Sequence, residues 1–345
     1  MPIHKTFSVL SRGALPRPEK TIVIAGGGVA GLRTAEALRH QGFAGPLIGF
    51  GAEALPPYDR TQLSTVAMRD AEWSPQPLPS TAHGFWWFLD MAAVSLDVDG
   101  RRIGLDDGRH VDFDALVIAT GRRAAILPAA PEAMRLRTLT DAHRLRSVLL
   151  ARTGHLTIAG AGIVGAEVAG AARTLGWQVT IVDAVQDPLA DTLGAEPASW
   201  VWDQHRDHGV DLRFGTAVTA VRHHQVELAD GATLDADAVV TTVGTVPNTD
   251  WLANSGLDIA DGVRTDDSRR ARTAAGDAAA AVVAVGGVTG NRWSPVGDAR
   301  RAAATLLGQP PPDDTPSTFS MEVYTHELRV TGQSDGTVAV EFGDR

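Results

Sequence analysis

The 345-residue chain contains no cysteine. That absence excludes a disulfide framework, a thiolate zinc site and an iron–sulfur cluster held by the chain's own thiolates. It also excludes a redox-active dithiol and a sulfenate-forming thiol, so any electron transfer must bypass protein sulfur. Long apolar runs are missing too: no stretch approaches the ~20 residues that a membrane-spanning helix requires, and no membrane partner is expected. Residues 1–20 mix Lys, Arg and Pro with short apolar pieces and have no signal-peptide core, so they read as a loose extension of a cytoplasmic protein. Positive charge is outweighed, with 31 Lys and Arg against 41 Asp and Glu and a formal net charge of −10, which argues against a nucleic-acid partner. The same balance does not steer an acidic redox carrier unless a local basic patch exists.

What is present is two glycine-rich turns, each in the same context. Gly26-Gly27-Gly28-Val29-Ala30-Gly31 follows the apolar run Thr21–Ala25, and Gly160-Ala161-Gly162-Ile163-Val164-Gly165 follows Leu156–Ala159. Each opens an Ala-rich helical stretch. An acid, Glu53 or Asp183, follows the next apolar run at roughly the 20-residue distance of a dinucleotide fingerprint. In that fingerprint the first glycine (Gly26, Gly160) makes the tight turn and the second (Gly28, Gly162) admits a pyrophosphate to the backbone. The third (Gly31, Gly165) lets helix pack on strand, and the acid takes ribose hydroxyls. One such motif is weak; two in full strand–turn–helix context mean two dinucleotides, and a chain that binds two passes a hydride between them.

The rest of the chain is ordered around these units. Leu47–Phe50 reads as a second strand, and residues 52–83, rich in Pro and Ser, as loops and short helices. Residues 85–117 alternate in strand fashion around a turn at Asp106-Asp107-Gly108. Leu116–Ala119 is a buried strand running into Thr120-Gly121. Residues 195–208 look helical. Three short strands follow between 210 and 243, with a turn at Asp230-Gly231, and 244–275 is irregular. Ala281–Val285 is a further buried strand ending in Gly286-Gly287, and an Ala-rich helix covers about 297–307. Pro310-Pro311-Pro312 bounds a short tail.

With Pro57-Tyr58-Asp59-Arg60, Ala119-Thr120-Gly121 and Gly244-Thr245-Val246-Pro247-Asn248 added, residues 21–308 resemble the ferredoxin-reductase-like FAD/NAD(P) oxidoreductases of the putidaredoxin and rubredoxin reductase type. The resemblance implies an α/β fold of two Rossmann-like domains, the second inserted in the first. An FAD domain would comprise 21–123 and 244–309, an NAD(P)H domain 124–243, and a truncated C-terminal segment 310–345. It further implies that Gly26, Gly28, Gly31, Glu53, Arg60, Thr120, Gly121 and Gly244 line the FAD site. Gly160, Gly162, Gly165 and Asp183 would hold NAD(H), with Glu167 near the nicotinamide.

Departures from the family pattern are specific. After Arg60 the family reads Pro-Pro-Leu-Ser-Lys, whereas this chain has Thr61-Gln62-Leu63-Ser64-Thr65 and lacks a flavin-side lysine. A family Gly-Asp pair that reaches the FAD ribityl chain has two candidate positions here. Gly276-Asp277 has the letters but follows a poor strand. Gly286-Gly287 follows a good strand and precedes Trp293 at plausible spacing, with the Asp lost. The family's Phe-Trp-Ser becomes Phe319-Ser320-Met321.

Other clusters read more plainly. His205 and His208 at i, i+3 are expected to be exposed on a polar helix, since a metal site needs a third ligand. His223-His224 read likewise. Phe85-Trp86-Trp87-Phe88 is expected to be an aromatic core strand, and Arg122-Arg123 and Arg300-Arg301 are expected to be solvated charges. The expected function is an NADH-dependent FAD reductase that passes electrons to a ferredoxin serving a P450 or oxygenase. A repurposed flavoenzyme acting on a small-molecule substrate or oxygen, or a degenerate nucleotide binder, are the alternatives.

Asp183 is followed by Ala184 and Val185, where a 2′-phosphate would call for arginine. NADH is therefore expected to exceed NADPH in kcat/KM, and Asp183→Ala to narrow the gap. Equal values for the two cofactors would refute this reading.

Overall fold

A computed structural model describes residues 8–9, 20–290, 295–313, 316, 318–332 and 338–344; Trp293 and most of the 1–20 extension lie outside this set. The chain divides into two compact units. The first comprises Met1–Asp59, Pro75–Arg123 and Val246–Thr315, and the second Arg60–Ser74, Ala124–Thr245 and Pro316–Arg345.

In the first unit the strands run in the order Ser8–Val9, Trp86–Leu89, Leu47–Gly51, Ile22–Ala25, Ala115–Ile118, Ala278–Ala284 and Arg270–Arg272. All neighbours are parallel except the last pair. Ser8–Val9 thus adds an edge strand where the sequence suggested only a loose extension. The central strands are nearly continuous runs of Val, Ile and Ala because both faces are covered. Ile22, Ile24, Leu47, Val117 and Val283 pack on one face with the helix Val29–His40. Val23, Ile48, Phe50, Leu116 and Val282 pack on the other. The period of two decides which residue meets which layer. A three-stranded antiparallel sheet, Ala93–Asp97, Arg102–Leu105 and His110–Asp112, turns at Gly108, whose φ is +85°.

The second unit repeats this plan. Its parallel sheet runs Met134–Arg135, Ala238–Thr241, His155–Ala159, Gln178–Asp183, Asp211–Phe214. A second antiparallel meander, Val218–Arg222, Gln225–Leu228 and Thr233–Asp235, turns at Gly231 (φ +88°). Residues 210–243 therefore hold five strands rather than three, and the internal duplication includes the meander as well as the βαβ core. The tail is also more than a segment: Thr318–Val323, His326–Gly332 and Val338–Asp344 form an antiparallel sheet, and its first strand packs on the helix Ile163–Thr174.

Trp87 links the first core to its glycine turn. The register pairs Gly49 with Trp87, and the indole lies where a Gly49 side chain would be. A Cβ at Gly31 would meet Trp87 Cη2 at 3.1 Å. With Trp87 only 2% exposed, the ring has nowhere to move. Gly49→Ala is expected to cost about 1–3 kcal/mol by overpacking, read as a lower denaturant midpoint at unchanged slope. The cost should shrink in a Trp87→Leu background; an unchanged midpoint for Gly49→Ala would contradict this packing.

Candidate functional site

Both glycine turns sit at a topological switch point. Strand order reverses between Ile22–Ala25 and Ala115–Ile118 in the first sheet, and between His155–Ala159 and Ala238–Thr241 in the second. Such reversals open a crevice at the carboxyl ends of the strands. The three glycines of each turn differ in the same way in both units. At Gly26 (φ +130°) and Gly160 (φ +113°) a Cβ would overlap the backbone just past the neighbouring parallel strand, at Ala119 after Ala115–Ile118 and at Thr242 after Ala238–Thr241. At Gly31 and Gly165 it would overlap the carbonyl oxygen of Gly26 and Gly160. At Gly28 and Gly162 it would meet nothing within 4 Å. First and third glycines are thus required by the fold itself, whereas the second keeps open space at a helix N-terminus. Gly28 and Gly162 are the N-caps of 12-residue helices that have no side-chain cap and no acid in the first turn. Uncapped N–H groups beside open space suit the pyrophosphates of FAD and of NAD(H).

The fingerprint acids lie at or just past the end of the strand that follows each glycine-turn helix. Asp183 closes its strand, and its carboxylate accepts from Ala161 N (2.6 Å) and Val185 N (2.8 Å), which ties it to the glycine turn. Glu53 lies two residues past its strand and accepts from Tyr58 Oη at 2.8 Å. Thr120 and Gly121 are clasped by Asn248: Thr120 Oγ1 donates to Asn248 O (2.8 Å), Asn248 Nδ2 to Thr120 O (2.9 Å) and Asn248 N to Gly121 O (2.9 Å).

The two candidates for the Gly-Asp position are separated by a whole strand. Asp277 is exposed in the turn that precedes Ala278–Ala284, held through Thr273, and is not brought to the end where the glycine turn lies. Gly286 and Gly287 follow that strand at its carboxyl end. The Gly286 N–H donates to Asp298 (3.1 Å), a carboxylate 1% exposed and paired to Arg269 at 2.7 Å. Arg122 Nη1 donates to Gly287 O (3.2 Å), and its Cγ lies 3.0 Å from where a Gly287 Cβ would be.

In the second unit, Arg60 Nη1 donates to Arg137 O (2.9 Å), and Gly244 O accepts from Ala125 N (3.0 Å). Glu167, on the second glycine-turn helix, is buried rather than a solvated face residue. Ser64 Oγ lies 2.5 Å from Glu167 Oε2, and Glu322 N donates to Oε1 at 3.1 Å. Burial pushes the carboxyl up to about 8, against the smaller downward pull of the Ser64 and Glu322 hydrogen bonds. The nearby Arg69 guanidinium is engaged by the Glu322 carboxylate at 2.7 Å.

The sequence profile of the pyridine nucleotide-disulphide oxidoreductases matches residues 20–303. The chain belongs to this family. It is 33% identical over 337 residues to the ferredoxin–NAD(+) reductase component of the p-cumate 2,3-dioxygenase system of Pseudomonas putida, spanning 94% of this chain and 84% of that protein. It is 32% identical over 345 residues to rhodocoxin reductase of Rhodococcus erythropolis, spanning 92% and 79%. Among solved structures, the covalent putidaredoxin reductase–putidaredoxin complex superposes with a TM-score of 0.81 at 27% identity, covering 93% of this chain and 83% of the matched one. The family's name includes a disulphide, yet this member has no thiol to form one.

Sequence reasoning missed Asp298 and, although it quoted the motifs that hold Asn248 and Ser64, assigned neither a partner, because each acts from a different chain segment than the group it holds. It also misread His205, which is 0% exposed and hydrogen-bonded to Tyr324 instead of lying on a solvated face. Among the described residues no group of three potential ligands is placed to hold a metal. The aromatic strand is core as expected, with Trp87 and Phe88 buried.

Folded Glu167 keeps its proton to higher pH than its unfolded counterpart. The folded state therefore binds more protons between pH 4.5 and about 8, and stability falls as pH rises through that window. Glu167→Gln is expected to flatten that slope and to stabilise the protein most at pH 8 and above, measured by denaturant titrations at several pH values. A steeper slope in the variant would contradict a buried neutral carboxyl.

Proposed function

We propose that the protein is an NADH-dependent FAD reductase that delivers electrons to a ferredoxin-type carrier serving a P450 or an oxygenase. The observation that carries this reading is the pair of glycine turns at switch points, each with its second glycine open and its helix uncapped. Relatives that are ferredoxin–NAD(+) reductase components support the acceptor class.

In this reading FAD lies along Gly26, Gly28 and Gly31 in the domain formed by 21–123 and 244–309. Glu53 meets its adenosine ribose, and Arg60, Thr120, Gly121, Gly244, Gly286 and Gly287 line the remainder. NAD(H) lies along Gly160, Gly162 and Gly165 in the domain 124–243, with Asp183 at the ribose and Glu167 beside the nicotinamide. A flavin held there would supply hydride acceptance and outward electron transfer; the residues named supply its position against the nicotinamide. With no cysteine in the chain, those electrons leave without a thiol relay. The cytoplasm is the compartment where such a chain would work.

A second reading, direct action on a small molecule or oxygen, draws on the flavin-side positions that differ from the family: Thr65, Gly287 and Ser320. Rapid NADH oxidation by oxygen alone, with no stimulation of cytochrome c reduction by an added ferredoxin, would favour it over the carrier reading.

The empty carboxylate position at Gly287 predicts weakened flavin binding. A charge-assisted hydrogen bond to the ribityl chain is worth roughly 1.5–3 kcal/mol, about ten- to a hundred-fold in affinity. Gly287→Asp should tighten FAD by that order if the Arg122 stem yields a few tenths of an ångström, whereas Asp277→Ala should change little. Fluorescence titration of flavin-depleted protein measures both. Loss of FAD in Asp277→Ala with Gly287→Asp inert would overturn the assignment.

A further inference from the structure

Within the second unit, the C-terminal sheet meets the helix Ala195–Asp207 through an aromatic cluster. Tyr324 occupies the tight turn between Thr318–Val323 and His326–Gly332, in left-handed conformation at φ +54°. Its ring stacks on His208 with centroids 3.5 Å apart and planes 10° from parallel. Its hydroxyl is 3.0 Å from His205 Nδ1. Both histidines belong to the helix Ala195–Asp207 and its C-cap. One helical turn away, Trp200 packs edge-on against His326 and Phe342 of the same sheet, at 5.3 and 4.9 Å. The neighbouring helix Ile163–Thr174 lines this cluster at Gly170, where a Cβ would lie in ordinary contact with Tyr324 (3.9 Å) and His205 (4.0 Å).

His205 is the chemically unusual member. It is fully buried, Trp202 covers it at 5.5 Å, and among the described residues its Nε2 has no hydrogen-bond partner. The titratable and charged groups around it are Tyr324 on the turn, His208 on its own helix and Arg173 on the helix Ile163–Thr174. Arg173 Nε donates to His208 O (2.8 Å) and its charge acts on Tyr324. Among the described residues no carboxylate bonds to His205. A proton there would be a buried cation, with no bonded carboxylate among the described residues to offset its desolvation.

We propose that the His205–Tyr324–His208 sandwich is a latch that seats the C-terminal sheet only while His205 is neutral. Unseating frees the imidazole to take a proton, so acid pulls the equilibrium towards the open form. Burial, with a smaller push from His208, lowers the seated imidazole to about 4 from 6.5. The His205 contribution to seating then falls as pH falls through that window, by about twenty-fold in the equilibrium constant between pH 7 and 5 with the open form titrating normally. Glu167, raised by burial against the same sheet, contributes in the opposite direction, so the His205 part is the difference between wild type and His205→Gln. Opening also withdraws the Glu322 N–H from Glu167. Any consequence for nicotinamide binding rests on the proposed function; the latch itself does not.

Hydrogen–deuterium exchange of the intact chain, corrected for intrinsic rates, tests the latch without cofactor. Between pH 7 and 5, protection of peptides from 318–332 should fall about twenty-fold in the wild type relative to His205→Gln, while the strands at 155–159 and 178–183 differ little between the two proteins. His205→Gln retains a hydrogen-bonding partner for Tyr324 without a titrating ring, and should hold the sheet at pH 7 with no loss at pH 5. Tyr324→Phe should weaken seating at pH 7, and is the second variant should His205→Gln fail to fold. The proposal is overturned by the same pH dependence of protection in wild type and His205→Gln, by an equal difference in the central strands, or by unchanged protection in Tyr324→Phe. NAD+ affinity, measured in parallel, reports separately on whether Glu167 serves the nicotinamide.

Discussion

Steric exclusion at two glycine turns is the constraint on which both units depend. Each turn brings a helix N-terminus against the ends of two neighbouring parallel strands, and that approach is possible only where Cβ is absent. Gly26 and Gly160 lie against the backbone of Ala119 and Thr242, just past the neighbouring parallel strand, and Gly31 and Gly165 against the first glycine's own carbonyl. The same contact that closes the core therefore aims uncapped N–H groups into the crevice. Stability and phosphate affinity share one geometry, and only Gly28 and Gly162 are free of a packing role.

Around this constraint the two units use different fillings. In the first, Trp87 takes the volume left by Gly49 and reaches the underside of the glycine turn, so sheet register and turn geometry are locked together. In the second, Thr242 approaches the turn, its Oγ1 donating to Gly160 O at 2.7 Å. The duplicated plan is a shared backbone solution met by unrelated side chains.

The second unit also concentrates buried groups that are neutral where their exposed counterparts would be charged. Glu167 and His205 lie on helices that contact the C-terminal sheet, and each is desolvated without a charge of opposite sign bonded to it. Desolvation shifts them in opposite directions, the carboxyl up and the imidazole down, because each shift favours the uncharged form. The sheet's seating is accordingly bound up with proton occupancy.

The strand–turn–helix units, the fingerprint acids and the buried strands were legible in the chain itself. Glycine placement and apolar runs are local signals, and the turn imposes them within a few residues. The helix at 29–40 and the strand at 47–51 follow from periodicity alone. Other facts needed the tertiary fold, because they join segments far apart in the chain. The fold alone showed that Asp298 rather than Asp277 lies by the Gly286 turn, and that Ser64 and Glu322 converge on Glu167. It also showed that a histidine on a seemingly polar helix is interior, because a tail strand brings Tyr324 to cover it. Sequence carries the short-range sterics of glycine and strand; burial and proton affinity are set by whichever distant segment arrives to exclude water.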